Sequence, residues 1–185
     1  MPAQFTPAQF GLERSSRNVQ VAFQRHFNDA GSYLAALVDR RRDNGDGGVG
    51  ADGVDTDLLE KAFDFPPNKY SALALESYLI HMCFEKNRGI STAEAIVSTF
   101  THYWFHMDGS YAGTYARCPE SDTITGCPAR SVVIRHTVDI IRERGRYPSF
   151  CEDAASVSLS ELARMMESDG RAEVLEAFSN LVRGP

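Results

Sequence analysis

Two histidines and two cysteines are the side chains in this sequence whose spacing best suits metal chemistry. His102 and His106 are four residues apart, so a helix would place both rings on one face, a spacing found among zinc ligands. Cys118 and Cys127 follow in a polar loop and complete a Cys2His2 set that could hold that loop. The eight residues between the cysteines exceed the usual zinc spacing, however, and the aromatic run 103–105 suits packing. We therefore expect no metal and no other cofactor, and keep a zinc-stabilised helical scaffold as an alternative.

Other patterns that carry chemistry are incomplete. No serine or cysteine stands at a spacing that indicates a triad with histidine. The glycine-rich run 44–53 has no strand pattern before it and no Lys-Ser/Thr after it, as a phosphate-binding loop requires. An EF-hand starting at Asp43 needs Asp or Asn at its third and fifth positions and Glu at its twelfth, where this chain has Gly45, Gly47 and Val54. These patterns therefore predict neither an enzyme nor a calcium site.

Apolar periodicity and capping residues predict helices joined by polar turns. Residues 12–42 carry apolar side chains at spacings of three and four, which indicate one helical face, interrupted near Gly31. Ser91 and Glu94 form a predicted capping box at the start of an aromatic helix. Further helices are predicted in a short segment beginning at Asp57, and over 68–87, 91–107, 131–146, 159–168 and 171–182. The predicted fold class is therefore all-α.

Two non-helical stretches interrupt this pattern. Residues 44–53 contain five glycines in ten positions, which predicts a flexible linker that can be deleted with little loss of stability. Arg40 to Arg42 precede it and are expected to complement the helix dipole. Short extended pieces are predicted only at 114–116 and 123–125. The chain then divides into an N-terminal arm, helix and linker over 1–54, a helical domain over 55–150, and C-terminal helices over 151–185.

Composition and charge limit the class of protein. The chain has 185 residues, 43% of them hydrophobic, which is enough for one domain with an ordinary core. Its net charge of −6 argues against nucleic-acid binding, but residues 43–76 carry eight of the acidic side chains and residues 151–185 carry seven. No apolar run suits a membrane span, no secretion signal is visible, and four irregularly spaced cysteines suit a reducing compartment. We expect a nuclear or cytoplasmic protein without a membrane partner.

The stretch 91–146 carries a recognisable order of motifs. These are Ser91-Thr92-Ala93-Glu94, an aromatic helix, a Gly- and Tyr-rich turn over 108–117, Gly126-Cys127-Pro128, and a helix that ends in arginines. The order resembles the N-terminal core-binding domain of tyrosine recombinases, in the form found in crypton-type elements and their fungal relatives. The resemblance covers about residues 55–166, with Cys127 in place of the usual Asn, and residues 157–162 are similar to the start of the catalytic domain. It implies an orthogonal multi-helix bundle of the recombinase core-binding type.

In that family the core-binding and catalytic domains close around duplex DNA, so the resemblance implies a DNA-binding module. N–H groups at a helix start attract phosphate, and arginine and hydroxyl side chains contact the DNA backbone. The implied DNA contacts are the arginines and hydroxyl residues at helix starts, in the loop and at the end of the basic helix: Arg88, Ser91, Thr92, Arg117, Arg130, Ser131, Arg135, Arg142, Arg144 and Arg146.

The catalytic residues of the family do not appear in this sequence. Recombinases need two arginines, a His-x-x-Arg, a lysine and a nucleophilic tyrosine in a longer catalytic domain, and no histidine here is followed by arginine three positions on. We therefore expect a protein that binds double-stranded DNA without being an enzyme, with a catalytic domain or another protein as a further partner. A helical protein-interaction module, favoured by the acidic total, is the other alternative.

Overall fold

The structure, a computed structural model, describes residues 17–118 and 123–146. Its elements are α1 (Arg17–Asp43), α2 (Thr56–Glu60), α3 (Ser71–Ile80), a π-helical turn (His81–Glu85), α4 (Ile90–Met107), a 3-10 turn (Gly109–Ala112), β1 (Ala116–Arg117), β2 (Ile124–Thr125), a second 3-10 turn (Pro128–Arg130) and α5 (Val132–Arg146). Helix makes up 69% of this part of the chain, with little strand, which confirms the all-α class. The helices predicted over 159–168 and 171–182 lie outside the described residues. Within the described ranges, no helix combines the length and apolar character needed to cross a membrane.

Helix α1 runs without a break through Gly31, where the sequence predicted an interruption. One stripe of α1 is buried and packs against α2, α3 and α4. Its apolar members are Phe27, Ala30, Leu34, Leu37 and Val38. A helical glycine costs about 0.5–1 kcal/mol, whereas each large buried side chain contributes about 1.5–3 kcal/mol, so packing outweighs the glycine. The described part of residues 1–54 therefore shares one hydrophobic core with the helices that follow.

The centre of this core is aromatic and is built mainly by α4. Trp104, Phe100 and Tyr103 are almost completely buried. The Phe100 ring centroid lies 5.3 Å from that of Phe27 on α1 and 4.7 Å from that of Phe63 after α2. Tilted and offset aromatic pairs at these distances add to the stabilisation from burial alone. Helix α4 is thus the central helix, and α5 packs on it from another side.

The Gly/Asp-rich segment 44–53 is tied to α1 and is not a free linker. Arg41 donates to both carboxylate oxygens of Asp52, at 2.7 and 3.0 Å, and both side chains are only 6% exposed. The same guanidinium donates to Thr56 Oγ1 at 3.0 Å, and Val54 lies buried in the core. The sequence predicted a flexible linker here. The structure differs because Arg41, which was expected to complement the helix dipole, instead holds the segment to α1.

The boundaries of α2 and α3 also differ from the prediction. Asp55 caps α2, since its carboxylate accepts hydrogen bonds from the N–H groups of Asp57 and Leu58 at 3.0 and 3.1 Å. The single helix predicted over 68–87 is divided into α3 and the π-helical turn that follows it. Just after that turn, Asn87 adopts a left-handed conformation with φ 51°, which asparagine tolerates better than most residues.

The loop from α4 to α5 closes on itself at Gly126. This glycine has φ +69°, and a Cβ there would lie 2.0 Å from the carbonyl oxygen of Thr114. The next residue, Cys127, is buried and donates its N–H to the carbonyl of Gly113 at 3.0 Å. At the Gly-Cys-Pro sequence the two ends of the loop therefore pack closely together. The turn Pro128–Arg130 follows and leads directly into α5. The short pairing of β1 with β2 lies near the extended pieces predicted from the sequence.

Candidate nucleic-acid interface

An open groove of about 470 Å³ lies between α4, α5 and the loop that joins them; we name it the α4–α5 groove. Its lining includes two arginines, one histidine and three hydroxyl residues: Arg130, Arg135, His102, Ser98, Thr101 and Thr114. Val97 and Ala129 form an apolar part of the same lining. A smaller depression of about 220 Å³ shares Arg135 and continues along α5 to Arg142. Basic and hydroxyl groups along an open groove suit contacts with phosphate oxygens.

Arg130 and Arg135 supply positive charge to the α4–α5 groove. Arg130 is exposed at the end of the second 3-10 turn, and its guanidinium donates to the carbonyl oxygen of Ala112 across the loop. Arg135 is exposed one turn into α5 and forms no ion pair with any residue that the structure describes. An arginine whose charge is not balanced within the chain can present its planar donors to an external anion. This end of the groove is therefore its basic end.

Arg142, in the smaller depression that continues from the groove, is partly neutralised by its neighbours. Its guanidinium pairs with Asp139 on α5 and, at 3.3 Å, with Glu94 on α4. Both acids are more than half exposed, so each pair contributes little to stability. The carboxylates nevertheless lower the local positive potential, and the charge of the groove is concentrated near Arg130 and Arg135.

His102 lines the groove from the α4 side in an aromatic setting. Its ring stacks on that of His106, with centroids 5.7 Å apart, and the edge contact with Phe23 of α1 is at 5.3 Å. Burial, followed by repulsion from His106, holds the pKa of His102 below its usual range, so the ring is neutral at pH 7. His102 therefore adds hydrogen-bonding capacity to the groove and no charge at neutral pH.

The alternative Cys2His2 site is not assembled in the part of the chain that the structure describes. No three potential ligands among histidine, cysteine, aspartate and glutamate come together there. Cys127 is fully buried beneath the loop, while Cys118 is exposed. Burial raises the pKa of the Cys127 thiol, which disfavours the thiolate that zinc binds.

The predicted phosphate seat at the start of α4 takes a different form. Helix α4 begins at Ile90, its N-cap is Gly89, and no side chain caps it, so the predicted capping box of Ser91 and Glu94 is wrong. The N–H of Thr92 is already bonded to the carbonyl of Gly89 at 3.0 Å. Ser91 is exposed beside this helix start, but neither it nor Thr92 lines the groove.

Three other predicted contacts also lie outside the groove lining. Ser131 is only 3% exposed, and its Oγ accepts from the N–H of Ile134 at 3.3 Å as a cap of α5. Arg88 is exposed just before α4, and Arg117 is exposed on β1. Arg146 is the last residue of α5, and its side chain lies outside the described part of the chain.

Arg144 is used by the fold itself. Its guanidinium donates to the carbonyl oxygen of Cys83 at 2.8 Å and to Oδ1 of Asn87 at 3.1 Å. It also lies 5.0 Å from the ring of Phe84, a cation–π contact. These contacts fasten the end of α5 to the π-helical turn, so Arg144 does not belong to the surface formed by Arg130 and Arg135.

No protein family, curated protein or solved structure matches this chain. The resemblance to recombinase core-binding domains therefore stays a prediction, and function has to be inferred from the groove itself. Of the ten DNA contacts predicted from the sequence, the groove and its continuation bring together three, namely Arg130, Arg135 and Arg142.

The sequence analysis did not find the α4 side of the groove. Thr101 and His102 lie three and four residues after Ser98, so a polar helical stripe was detectable. Such a stripe is ordinary on an exposed helix face and does not by itself indicate a site. Thr114 carries no local signal, because its position depends on the loop closure at Gly126.

Proposed function

We propose that the α4–α5 groove binds the phosphate backbone of double-stranded DNA as the non-catalytic half of a clamp. The observation that carries this proposal is the exposure of Arg130 and Arg135 in one groove whose α4 wall offers hydroxyl groups. Contacts of this kind position a protein on DNA without identifying its sequence. The resemblance to recombinase core-binding domains supports the same function, with an orthogonal bundle of that type, a catalytic domain or another protein as a further partner, and a nuclear or cytoplasmic location.

The binding should be weak and sensitive to salt. Only two arginines of the groove lack a strong acidic partner, and the whole chain carries a net charge of −6. Each neutralised phosphate contributes about −0.9 to the slope of log affinity against log salt concentration. Two such contacts give a slope of about −2, so a tenfold rise in salt weakens binding roughly a hundredfold.

We infer that the chain has no catalytic role in this complex. The buried thiol of Cys83 has its pKa raised by burial to about 11 and stays protonated at neutral pH, and burial also raises the pKa of Cys127. Protonated thiols are poor nucleophiles. His102 lines the groove with no acidic residue among the lining groups, so it lacks the carboxylate that orients a catalytic base.

A fluorescence-anisotropy titration with labelled duplexes, at low and moderate salt, tests the DNA-binding proposal. Replacing Arg130 and Arg135 together by glutamine should weaken binding about tenfold at low salt for every duplex sequence. The same change should reduce the salt slope by about one unit per lost contact. The single variant Arg135→Gln should show about half of this loss of binding free energy. It leaves the loop contact of Arg130 intact.

The matched control replaces Arg25 and Arg40, two exposed arginines of α1 outside the groove lining, by glutamine. This control has the same net charge as the double groove variant, so it separates a local contact from general repulsion. Equal losses in the two double variants would refute the groove as the contact surface. No binding to any duplex, even at low salt, by the wild-type protein and by a variant whose acidic residues in 151–185 are neutralised, would refute DNA binding itself.

A helical protein-interaction module is the second candidate function. It is favoured by the apolar lining at Val97 and Ala129 and by the acidic residues Glu94 and Asp139 near Arg142. An apolar groove with mixed charge at its edge suits an amphipathic helix of a partner. This candidate becomes the best account if the anisotropy titration shows no duplex binding.

A further inference from the structure

We propose that the acidic C-terminal segment 151–185 of this same chain docks in the α4–α5 groove and there excludes DNA. The docking rests on the groove and on the sequence of the segment, whereas its regulatory consequence rests on the DNA binding proposed above. The segment would then compete with DNA for the groove within one chain and reduce weak, non-specific DNA binding.

Charge complementarity identifies the segment as the occupant. Residues 151–185 carry seven acidic and three basic side chains, the opposite sign to the groove. Arg135 forms no ion pair among the described residues, and there Arg130 donates only to the backbone carbonyl of Ala112. Carboxylates are natural partners for these two planar guanidinium groups.

Apolar complementarity supports the same occupant. The sequence predicts a helix over 159–168 with Leu162 and Met165 on one face and Glu161 and Glu167 beside it. The groove lining includes the apolar residues Val97 and Ala129, and Val132 at the start of α5 is 50% exposed. An amphipathic helix that lies in a groove places its apolar face on such residues and its acids toward the basic ones.

The chain after α5 is long enough for the segment 151–185 to reach the groove. Helix α5 ends at residue 146, and residue 135 lies eleven residues earlier, a distance of about 16 Å along the helix. The eleven residues 147–157 can span up to about 36 Å when extended. A tethered partner has an effective concentration in the millimolar range, so even a weak docking contact would be well populated.

The contact is tested in the full-length chain by photo-crosslinking. A benzoylphenylalanine replaces Ser98, an exposed residue of the groove, and the products are mapped by peptide mass spectrometry after irradiation of dilute monomer. We expect adducts within one chain to peptides of 151–185. The same probe at Asp39, exposed on α1, should give few such adducts.

A charge variant then tests the competition with DNA. Replacing Glu161, Glu167, Asp169 and Glu173 by their amides should lower the Ser98 adducts severalfold. It should also tighten duplex binding about fourfold at low salt, since one exposed ion pair on each of the two groove arginines accounts for a factor of about two. The matched control neutralises Asp29, Asp39, Asp43 and Asp64, which are exposed and outside the groove lining. It carries the same net charge and should gain much less affinity.

The outcomes separate the two proposals. Adducts that are absent, equal from both probe positions, or formed only between two chains would overturn the docking, as would equal gains in DNA affinity from the two charge variants. Intrachain adducts that disappear in the tail variant, together with no DNA binding by any form, would refute DNA binding and leave the docking supported.

Discussion

Replacing Asp52 by asparagine tests whether the Gly/Asp-rich loop is a structural part of this fold. In the structure the two Asp52 oxygens accept from Arg41 at 2.7 and 3.0 Å, and Asp52 Oδ1 also accepts from the N–H of Val54 at 3.0 Å. The substitution keeps the size of the side chain but removes its charge and turns one acceptor into a donor. Arg41 is then left buried and charged without its counterion.

The expected loss follows from this burial. Removing one partner of a buried ion pair costs about 3–5 kcal/mol, and asparagine keeps one acceptor for Arg41, so we expect a loss of about 2–3 kcal/mol in the free energy of unfolding. For a domain of this size that loss lowers Tm by roughly 6–15 °C. The measurement is urea denaturation followed by circular dichroism, with Tm from calorimetry. Deletion of residues 44–53 should cost at least as much, contrary to the expectation from glycine content.

The effect should also depend on pH. Burial acts to raise the pKa of Asp52, but hydrogen bonds from Arg41 and from the Val54 N–H outweigh it, so the pKa lies below its ordinary value. A depressed folded-state pKa gives stabilisation that is complete above the ordinary pKa, and this stabilisation is lost as pH falls through the folded-state value. The difference between wild type and Asp52→Asn should therefore be full at pH 7 and shrink below about pH 4.

An exposed ion pair supplies the matched control. Asp57 lies 3.4 Å from Arg42, with 69% and 38% of the side chains exposed, so Asp57→Asn makes the same chemical change without burial. We expect that variant to unfold almost like wild type. If Asp52→Asn also unfolds like wild type, or if the loop deletion leaves Tm unchanged, Arg41 does not hold the loop to α1 in the way that the geometry indicates.

Two further predictions concern the loop and the thiols. Gly126→Ala places a Cβ 2.0 Å from a backbone carbonyl oxygen at a left-handed φ, so it should lower Tm by several degrees in a thermal melt, whereas Gly113→Ala has no neighbour within 4 Å and should change little. Among the three cysteines that the structure describes, alkylation at pH 8, resolved by peptide mass spectrometry, should modify exposed Cys118 first, while Cys83 and Cys127, buried and with raised pKa, should react only after denaturant is added. Equal rates at all three thiols would contradict the buried positions.

Much of the helical framework was predictable because helix formation is local. The periodicity predicted α4 and α5 to within a few residues, and the capping propensity of aspartate indicated a short helix near α2. The errors came where long-range packing overrides local preference. Gly31 stays helical because its neighbours fill the core, and Gly89 rather than Ser91 precedes α4 because the preceding turn fixes where that helix begins.

The candidate site was less predictable because it is assembled from distant parts of the chain. Arg130 and Arg135 were predicted from their place at a helix start, and the groove contains both. The sequence could not show that Ser98 of α4 lines the same groove as these two arginines. Nor could it show that Thr114 joins this lining through the close approach at Gly126. A hydroxyl residue on an exposed helix has the same local pattern whether or not it lines a groove.

The arginines show most clearly why charge along the sequence is a poor guide to charge on the surface. Arg41 is neutralised by Asp52, eleven residues away, and Arg144 is held by carbonyl and ring contacts with residues 57 to 61 positions earlier. Arg142 shares its charge with two acids. Once these are assigned, Arg130 and Arg135 remain as the arginines of the groove lining that no described carboxylate neutralises. A chain with net charge −6 can therefore carry a basic groove. If that groove binds DNA as proposed, its two available arginines predict weak, salt-sensitive contact.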